Sequence, residues 1–303
     1  MNSILQKASA DLIQKLQKQN IILSDKKLLA NGLQLKFSTA NENCTINLYH
    51  SEKKGLSIIL GGSTKSALRS EISLLLGIKS DISEDHHNWN RWVGSDESGK
   101  GDFFGPLVAC GFYCQSDLVN ELKDLGVKDS KLLNENDIRR IAEILLVRFK
   151  DNIEMIMLNP LTYNRLYHRF KEQGKKLNEL LAWMHSRIIL NQRSRHQIDG
   201  AVVDKFTRTD VLHGSLAGLQ EIPILNKIKG EEDPAVAAAS IIARYFYLKG
   251  MDNLSRKFGM DFPKGAGEKV LEFGKKMIKK QGWQVLEQVA KTHFKTYEQL
   301  KEK

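Results

Sequence analysis

"GSDESGKG", residues 94–101, decides how the rest of the chain is read. Gly94 and the Gly99-Lys100 pair stand at the G-x-x-x-x-G-K spacing of a phosphate-binding loop. Such a loop surrounds anionic oxygens with backbone N–H groups and a lysine, while a Ser or Thr hydroxyl ligates magnesium. Here the hydroxyl position is Gly101, and Asp96 and Glu97 would set two negative charges beside the phosphates. The segment after Gly101, "DFFGPLVACGFY", reads as turn and strand rather than as the helix that a phosphate loop opens. Two readings then stand open: the carboxylates are the point of the stretch, or it is a plain acidic turn. Asp96 is expected to end a strand and Glu97 to follow it in a glycine-rich turn, where a backbone can come close. Paired carboxylates at a strand end suit hard, oxygen-seeking cations such as Mg2+ or Mn2+.

Around this stretch, "RWVGSD" and "PLVACGFYC" are strand-like and predict a hairpin. "NENDIRRIAEILLVRFK" predicts a helix with Asn134 as its N-cap, "IEMIML" a strand, and residues 161–193 are largely helical. "GAVVDKF" and "IPILNKI" predict two further strands. "PAVAAASIIARYFYLKGMDNLSRKF" predicts a long helix with Pro234 in its first turn. Strands and helices intermix after a hairpin, so residues 91–303 are expected to form an α/β domain on a mixed sheet.

Residues 1–80 have a different character. Ile4, Leu5, Ala8, Leu12, Ile13 and Leu16 share one face of a predicted helix. Three short alternating runs, "LQLKF", "CTINLY" and "LSIIL", predict an antiparallel meander, and "TKSALRSEISLLLG" a second helix. This small α+β unit carries 11 Lys and Arg against 5 Asp and Glu. "KSDISEDHHNWN" is polar, acidic and without periodicity; the linker is placed at residues 81–90, and the adjacent His86 and His87 read as solvated linker.

The whole chain holds 303 residues, with 46 Lys and Arg against 36 Asp and Glu, a net charge of +10. That excess fits a polyanionic partner, most simply nucleic acid. No apolar run reaches the ~18 residues of a membrane helix, and the N-terminus has no apolar core or cleavage site of a secretory signal. Cys44, Cys110 and Cys114 form no metal-ligand framework and read as reduced thiols of a cytoplasmic protein. Nothing in the sequence demands more than a monomer.

Three further motifs bear on the site. Asp204 ends the "AVVD" strand, where a lone acid serves as turn former or cap as readily as ligand. "KGEEDPAVAAASIIAR" sets Glu231, Glu232 and Asp233 before a helix of small residues; acids there also complement the helix dipole, and small residues allow close packing on a sheet. "VKDSKLL" offers Lys128, Ser130 and Lys131 near a strand end, where phosphate contact and plain surface are both open.

Taken in order, "DESGKGD", "DSKLL", "AVVD" and "AVAAASIIAR" resemble the prokaryotic type 2 ribonucleases H over residues 91 to about 290. The basic module ahead of that region is similar to the arrangement in ribonucleases HIII. The resemblance implies a ribonuclease H-like mixed sheet flanked by helices, preceded by a TATA-binding-protein-like domain that grips the substrate. It implies an endonuclease that cuts the RNA of RNA–DNA hybrids and uses two divalent ions, Mg2+ or Mn2+, leaving 5′-phosphate and 3′-hydroxyl ends. Residue by residue, it carries metal binding to Asp96, Glu97 and Asp204. The fourth acid follows a Lys-Gly or Lys-Ala pair, here Lys229-Gly230, so Glu231 aligns, with Glu232 and Asp233 still open and Asp233 read chiefly as N-cap. It further implies that the backbone of Gly99, Lys100 and Gly101 reads 2′-hydroxyls, with Ser130 and Lys131 also contacting substrate. Ribonucleases HII carry a tyrosine in a His-Lys-Gly-Tyr segment that stacks beyond an RNA-to-DNA junction; "PKGAG", residues 263–267, corresponds, with Ala266 in the tyrosine's place.

Overall fold

A computed structural model describes residues 3–29, 32–39, 42–51, 55–61, 66–76, 87–204, 206, 211–212 and 214–301. The expected linker therefore lies, up to residue 86, outside the described residues. Backbone contacts divide the chain into two compact units, Met1–His87 and Asn88–Lys303.

The first unit is a four-stranded antiparallel sheet in the order β1 (Ile22–Leu29), β2 (Gly32–Ser38), β3 (Asn43–Ser51), β4 (Gly55–Gly61). Two helices, α1 (Ser3–Gln17) and α2 (Ala67–Leu76), accompany it. Leu33, Leu35 and Phe37 alternate inward along β2 and join Leu5, Leu12, Leu16, Ile46, Leu48 and Ile72 in one apolar core. Gln34, Lys36 and Ser38 point the other way, and Gln34 Nε2 donates to Asn47 Oδ1 at 2.8 Å across the strands. The sheet has one strand more than the three-stranded meander expected. "ILSDKKLL" escaped notice because it is an edge strand exposed on both sides, so its sequence shows no alternation, and its lysines discourage pairing with another chain.

The second unit carries a five-stranded mixed sheet in the order β7-β6-β5-β8-β9. β5 (Arg91–Ser98) and β6 (Leu107–Gln115) form the expected hairpin, and β7 (Ile153–Leu158) pairs antiparallel with β6. β8 (Gly200–Asp204) lies parallel to β5, and β9 (Ile224–Lys227) parallel to β8. Between β6 and β7 come α3 (Leu118–Asp124), a short helix not expected from the sequence, and α4 (Glu135–Arg148). Asn134 caps α4 as expected, accepting from the Asp137 N–H at 2.9 Å. The segment expected to be largely helical forms α5 (Pro160–Glu172) and α6 (Leu177–Arg195), and α7 (Pro234–Phe258), α8 (Glu268–Gln281), α9 (Leu286–Val289) and α10 (Lys295–Lys301) complete the unit.

Both faces of the sheet are covered, which is why β6 reads as an unbroken apolar run. α7 packs on one face with Trp92, Val108, Cys110 and Phe112, and α6 on the other with Val93, Ala201 and Val203. The alanines of α7 have a direct structural reason. A Cβ on Gly94 would stand 2.2 Å from the Ala235 carbonyl carbon and the Val236 nitrogen, so the helix backbone rests against the central strand. Cys44, Cys110 and Cys114 are buried and unpaired with one another. Among the described residues no helix is long and apolar enough to cross a membrane.

Candidate active site

Strand alternation sends neighbouring side chains of β5 to opposite faces of the sheet. Trp92, Gly94 and Asp96 face α7, whereas Val93, Ser95 and Glu97 face α6. Adjacent acids thus acquire different surroundings. Glu97 does not follow the strand, as the sequence suggested, but is still paired within it, opposite Ala109. The β5–β6 hairpin keeps its ladder through Ser98, and the turn begins only at Gly99, where φ of 89° is left-handed and favours glycine.

Asp204 ends β8, the parallel neighbour of β5, and its Oδ1 accepts from the Gly230 N–H at 2.8 Å. Gly230 lies so close that a Cβ there would stand 2.9 Å from the Asp204 Cα. The turn at Gly230–Glu232 thereby delivers Glu231 beside Asp204, where Lys131 Nζ donates to Glu231 Oε1 at 2.9 Å. The two other acids of this turn go elsewhere. Glu232 faces Lys227 at 3.6 Å with its side chain 62% exposed. Asp233 caps α7 through the Ala235 and Val236 N–H groups and accepts from Trp92 Nε1 at 3.1 Å.

Asp96, Glu97, Gly99, Lys100, Gly101, Ser130, Lys131 and Asp204 line one cleft of about 740 Å³. Glu231 abuts it through Lys131 and Asp204. The Ser130–Lys131 pair is not near a strand end, as expected, but sits in a short helical turn after α3, capped by Asp129. Three residues at the site were not singled out in the sequence. Ser240 hydrogen-bonds the Asp96 carboxyl and lies 2.7 Å from Ser130 Oγ; Arg244, one turn further along α7, also lines the cleft. Their i, i+4 spacing within "ASIIAR" was a usable signal. His185, fully buried in α6, lies 3.2 Å from Glu97 Oε2, and a lone histidine within a mixed helix gave no signal.

Burial, reinforced by the charges of Glu97 and Asp204, pushes the Asp96 carboxyl up to about 8 against the pull of the Ser240 and Glu97 N–H bonds. Burial also raises Asp204, with Glu231 and Glu97 adding to it and the Gly230 N–H opposing. Glu97 goes the other way: the His185 contact and Lys100, whose Nζ is 3.5 Å from Oε1, outweigh burial and hold it below the usual carboxylate range.

The ribonuclease HII family model matches residues 93–297, which includes all four of these acids. The ribonuclease HIII of Bacillus cereus is 34% identical, covering 97% of this chain and 96% of its own length; that of Staphylococcus epidermidis is 33% identical over 97% and 95%. The chain belongs to the ribonuclease HIII family. Bst-RNase HIII, solved in complex with Mn2+, superposes with a TM-score of 0.62 at 27% identity, covering 98% of this chain and 96% of that one. Membership makes the protein a ribonuclease H, an endonuclease of the hydrolase class, and the family's enzymes depend on divalent metal.

The residues of this ribonuclease H fit such a metal. The donors are all carboxylate oxygens, and burial together with the negative charges of Glu97 and Asp204 raises the Asp96 carboxyl, a penalty that a cation would relieve. Among the described residues no three such donors stand together as one ion would require; Glu97 contacts Lys100 and His185, and Glu231 contacts Lys131.

A stability consequence follows from Asp96. Its folded value is raised, so the stability linked to its proton is complete below about pH 4 and is lost as pH rises through about 8. In EDTA at pH 8.5, the Asp96→Asn variant is therefore expected to melt about 2–4 °C above the parent, the gap narrowing toward pH 5. Saturating Mn2+ should reverse the order. Melting curves at the two pH values, with and without metal, check this; a gap independent of pH would exclude the assigned shift.

Proposed function

We propose that this ribonuclease H hydrolyses the RNA strand of RNA–DNA hybrids with two divalent ions, Mg2+ or Mn2+, held by Asp96, Glu97, Asp204 and Glu231. The observation that carries the reading is the gathering of four acids from three separate segments around one cleft, with Asp96 at its centre of negative charge. Ions held by these acids would supply an activated water and neutralise charge on the scissile phosphate and the leaving 3′-oxygen, giving 5′-phosphate and 3′-hydroxyl ends.

The chain's own groups would do the rest. Asp96, facing α7 and hydrogen-bonded by Ser240, would be the central metal ligand. Glu97 and Asp204 flank it from the same strand and the neighbouring one. Lys131, with 74% of its side chain exposed, would exchange Glu231 for a phosphate oxygen as substrate enters. The Gly99–Gly101 backbone, lining the same cleft, would read the 2′-hydroxyls by which a protein tells RNA from DNA. The first unit would grip the hybrid through phosphates, in keeping with its positive charge. Digestion of an end-labelled hybrid with Mg2+, Mn2+ or EDTA tests the reading: cleavage of the RNA strand only with metal is expected, and cleavage of either strand in EDTA would overturn it.

The same cleft sets an expectation for substrate length. Phe103 N–H donates to the Gly265 carbonyl at 2.8 Å and the Gly265 N–H to Asp102 Oδ1 at 2.6 Å, which ties "PKGAG" to the end of the Gly99–Asp102 turn. Ala266 is exposed there and offers no ring to stack on a junction. Recognition would then need several consecutive 2′-hydroxyls. Hybrids with runs of about four or more ribonucleotides are expected to be cut at least about tenfold faster than a duplex with one. Side-by-side digestion in Mg2+ decides it, and equal rates would restore the junction reading.

A further inference from the structure

We propose that His185 is a positioning residue for Glu97, fixing one carboxylate oxygen so that the other is left to meet metal in the cleft. The proposal rests on the reading of Glu97 as a metal ligand. Three contacts define it. His185 Nε2 lies 3.2 Å from Glu97 Oε2, and His185 Nδ1 lies 2.6 Å from Ser95 Oγ. Ser95 Oγ is in turn 3.0 Å from the Cys110 carbonyl oxygen on β6, so the imidazole is braced against the backbone of the central hairpin. The Phe206 ring stacks on the imidazole at 4.9 Å between centroids, and His185 is fully buried.

The physical argument is one of geometry and desolvation. A carboxylate only accepts hydrogen bonds, so Nε2 serves as the donor toward Oε2. Strand alternation puts Ser95 and Glu97 on the same face of β5, two residues apart, and one imidazole spans both. The ring thereby works as a strut between two points of a single strand, and rotation of the Glu97 carboxylate would leave a buried donor unpaired. Oε1 carries the looser contact, 3.5 Å to Lys100, whose side chain is 35% exposed and belongs to the lining of the cleft. Metal arriving from the cleft would displace that partly exposed ammonium and find Oε1 already aimed. Donors behind a ligating side chain typically contribute ten- to hundredfold in metal affinity.

Isosteric replacement separates the two ends of the imidazole. In His185→Gln the amide nitrogen takes the place of Nε2, and in His185→Asn that of Nδ1. Mn2+ binding to the full-length chain, read by calorimetry without substrate, is expected to stay within about threefold for His185→Gln and to weaken about ten- to hundredfold for His185→Asn. The metal concentration for half-maximal cleavage should shift in parallel, while hybrid affinity measured in Ca2+ stays near that of the parent. Glu97→Gln and the Glu97→Gln/His185→Asn double variant complete a cycle, in which the second change should add little to the first. Additive losses, or Mn2+ affinity within threefold of the parent in a folded His185→Asn, would overturn the positioning role alone. If Glu97→Gln itself leaves Mn2+ affinity unchanged, the ligand reading of Glu97 falls and the proposal falls with it. Should His185→Asn fail to fold, Ser95→Ala removes the brace from the far end and is expected to weaken Mn2+ binding several-fold; no change there would overturn the proposal equally.

Discussion

Asp96→Asn is expected to lower hybrid cleavage at least about a thousandfold while changing hybrid affinity by less than about tenfold, or ~1.4 kcal/mol. The substitution removes the charge that both metal positions would share but keeps the size of the side chain and its place opposite Cys110 in the ladder. The phosphate contacts proposed for Lys131 and the basic first unit would be untouched. Asp204→Asn should behave alike, because Asp204 faces the same cleft from the adjoining parallel strand. The two measurements needed are single-turnover cleavage and hybrid binding in Ca2+. Near-normal turnover of either variant in Mg2+ would falsify the two-metal assignment. The stability gain expected for Asp96→Asn sharpens the test, since a variant that melts higher and cuts nothing has lost chemistry and not fold.

Removal of residues 1–80 is expected to weaken hybrid binding about a hundredfold near physiological salt and to flatten its salt dependence. The segment carries a net +6, and each phosphate neutralised contributes ~0.7–0.9 to the slope of log affinity against log salt, so a loss of about 4 to 5 in slope is expected. Cleavage should survive at low salt, because every residue lining the cleft belongs to the second unit, whose apolar core is its own. Titrations of the full chain and of a chain beginning at residue 81, each at three salt concentrations, give the answer. Equal slopes would leave the first unit without a role in binding.

The sequence by itself determined the kind of chemistry and most of the architecture. The failed phosphate loop at residues 94–101 set a nucleotide site aside, because a missing hydroxyl at Gly101 and two misplaced charges are visible without coordinates, and the resemblance of the four motifs implied the chemistry. Periodicity served equally well wherever one face is buried: Leu33, Leu35 and Phe37 on β2, or the capped helix after Asn134. It failed where burial has no sidedness, as in the exposed edge strand "ILSDKKLL". Only the tertiary structure separates Glu231, Glu232 and Asp233 in space. Composition makes the three acids equivalent, and their directions differ because a tight turn at Gly230 brings the first to Asp204 and Lys131, leaves the second to Lys227, and commits the third to the α7 backbone. The same is true of His185, which is 88 residues from Glu97 in the chain and reaches it across the face of a sheet. Local rules act over a few residues, whereas a strut between a helix and a strand exists only once the sheet has brought them together.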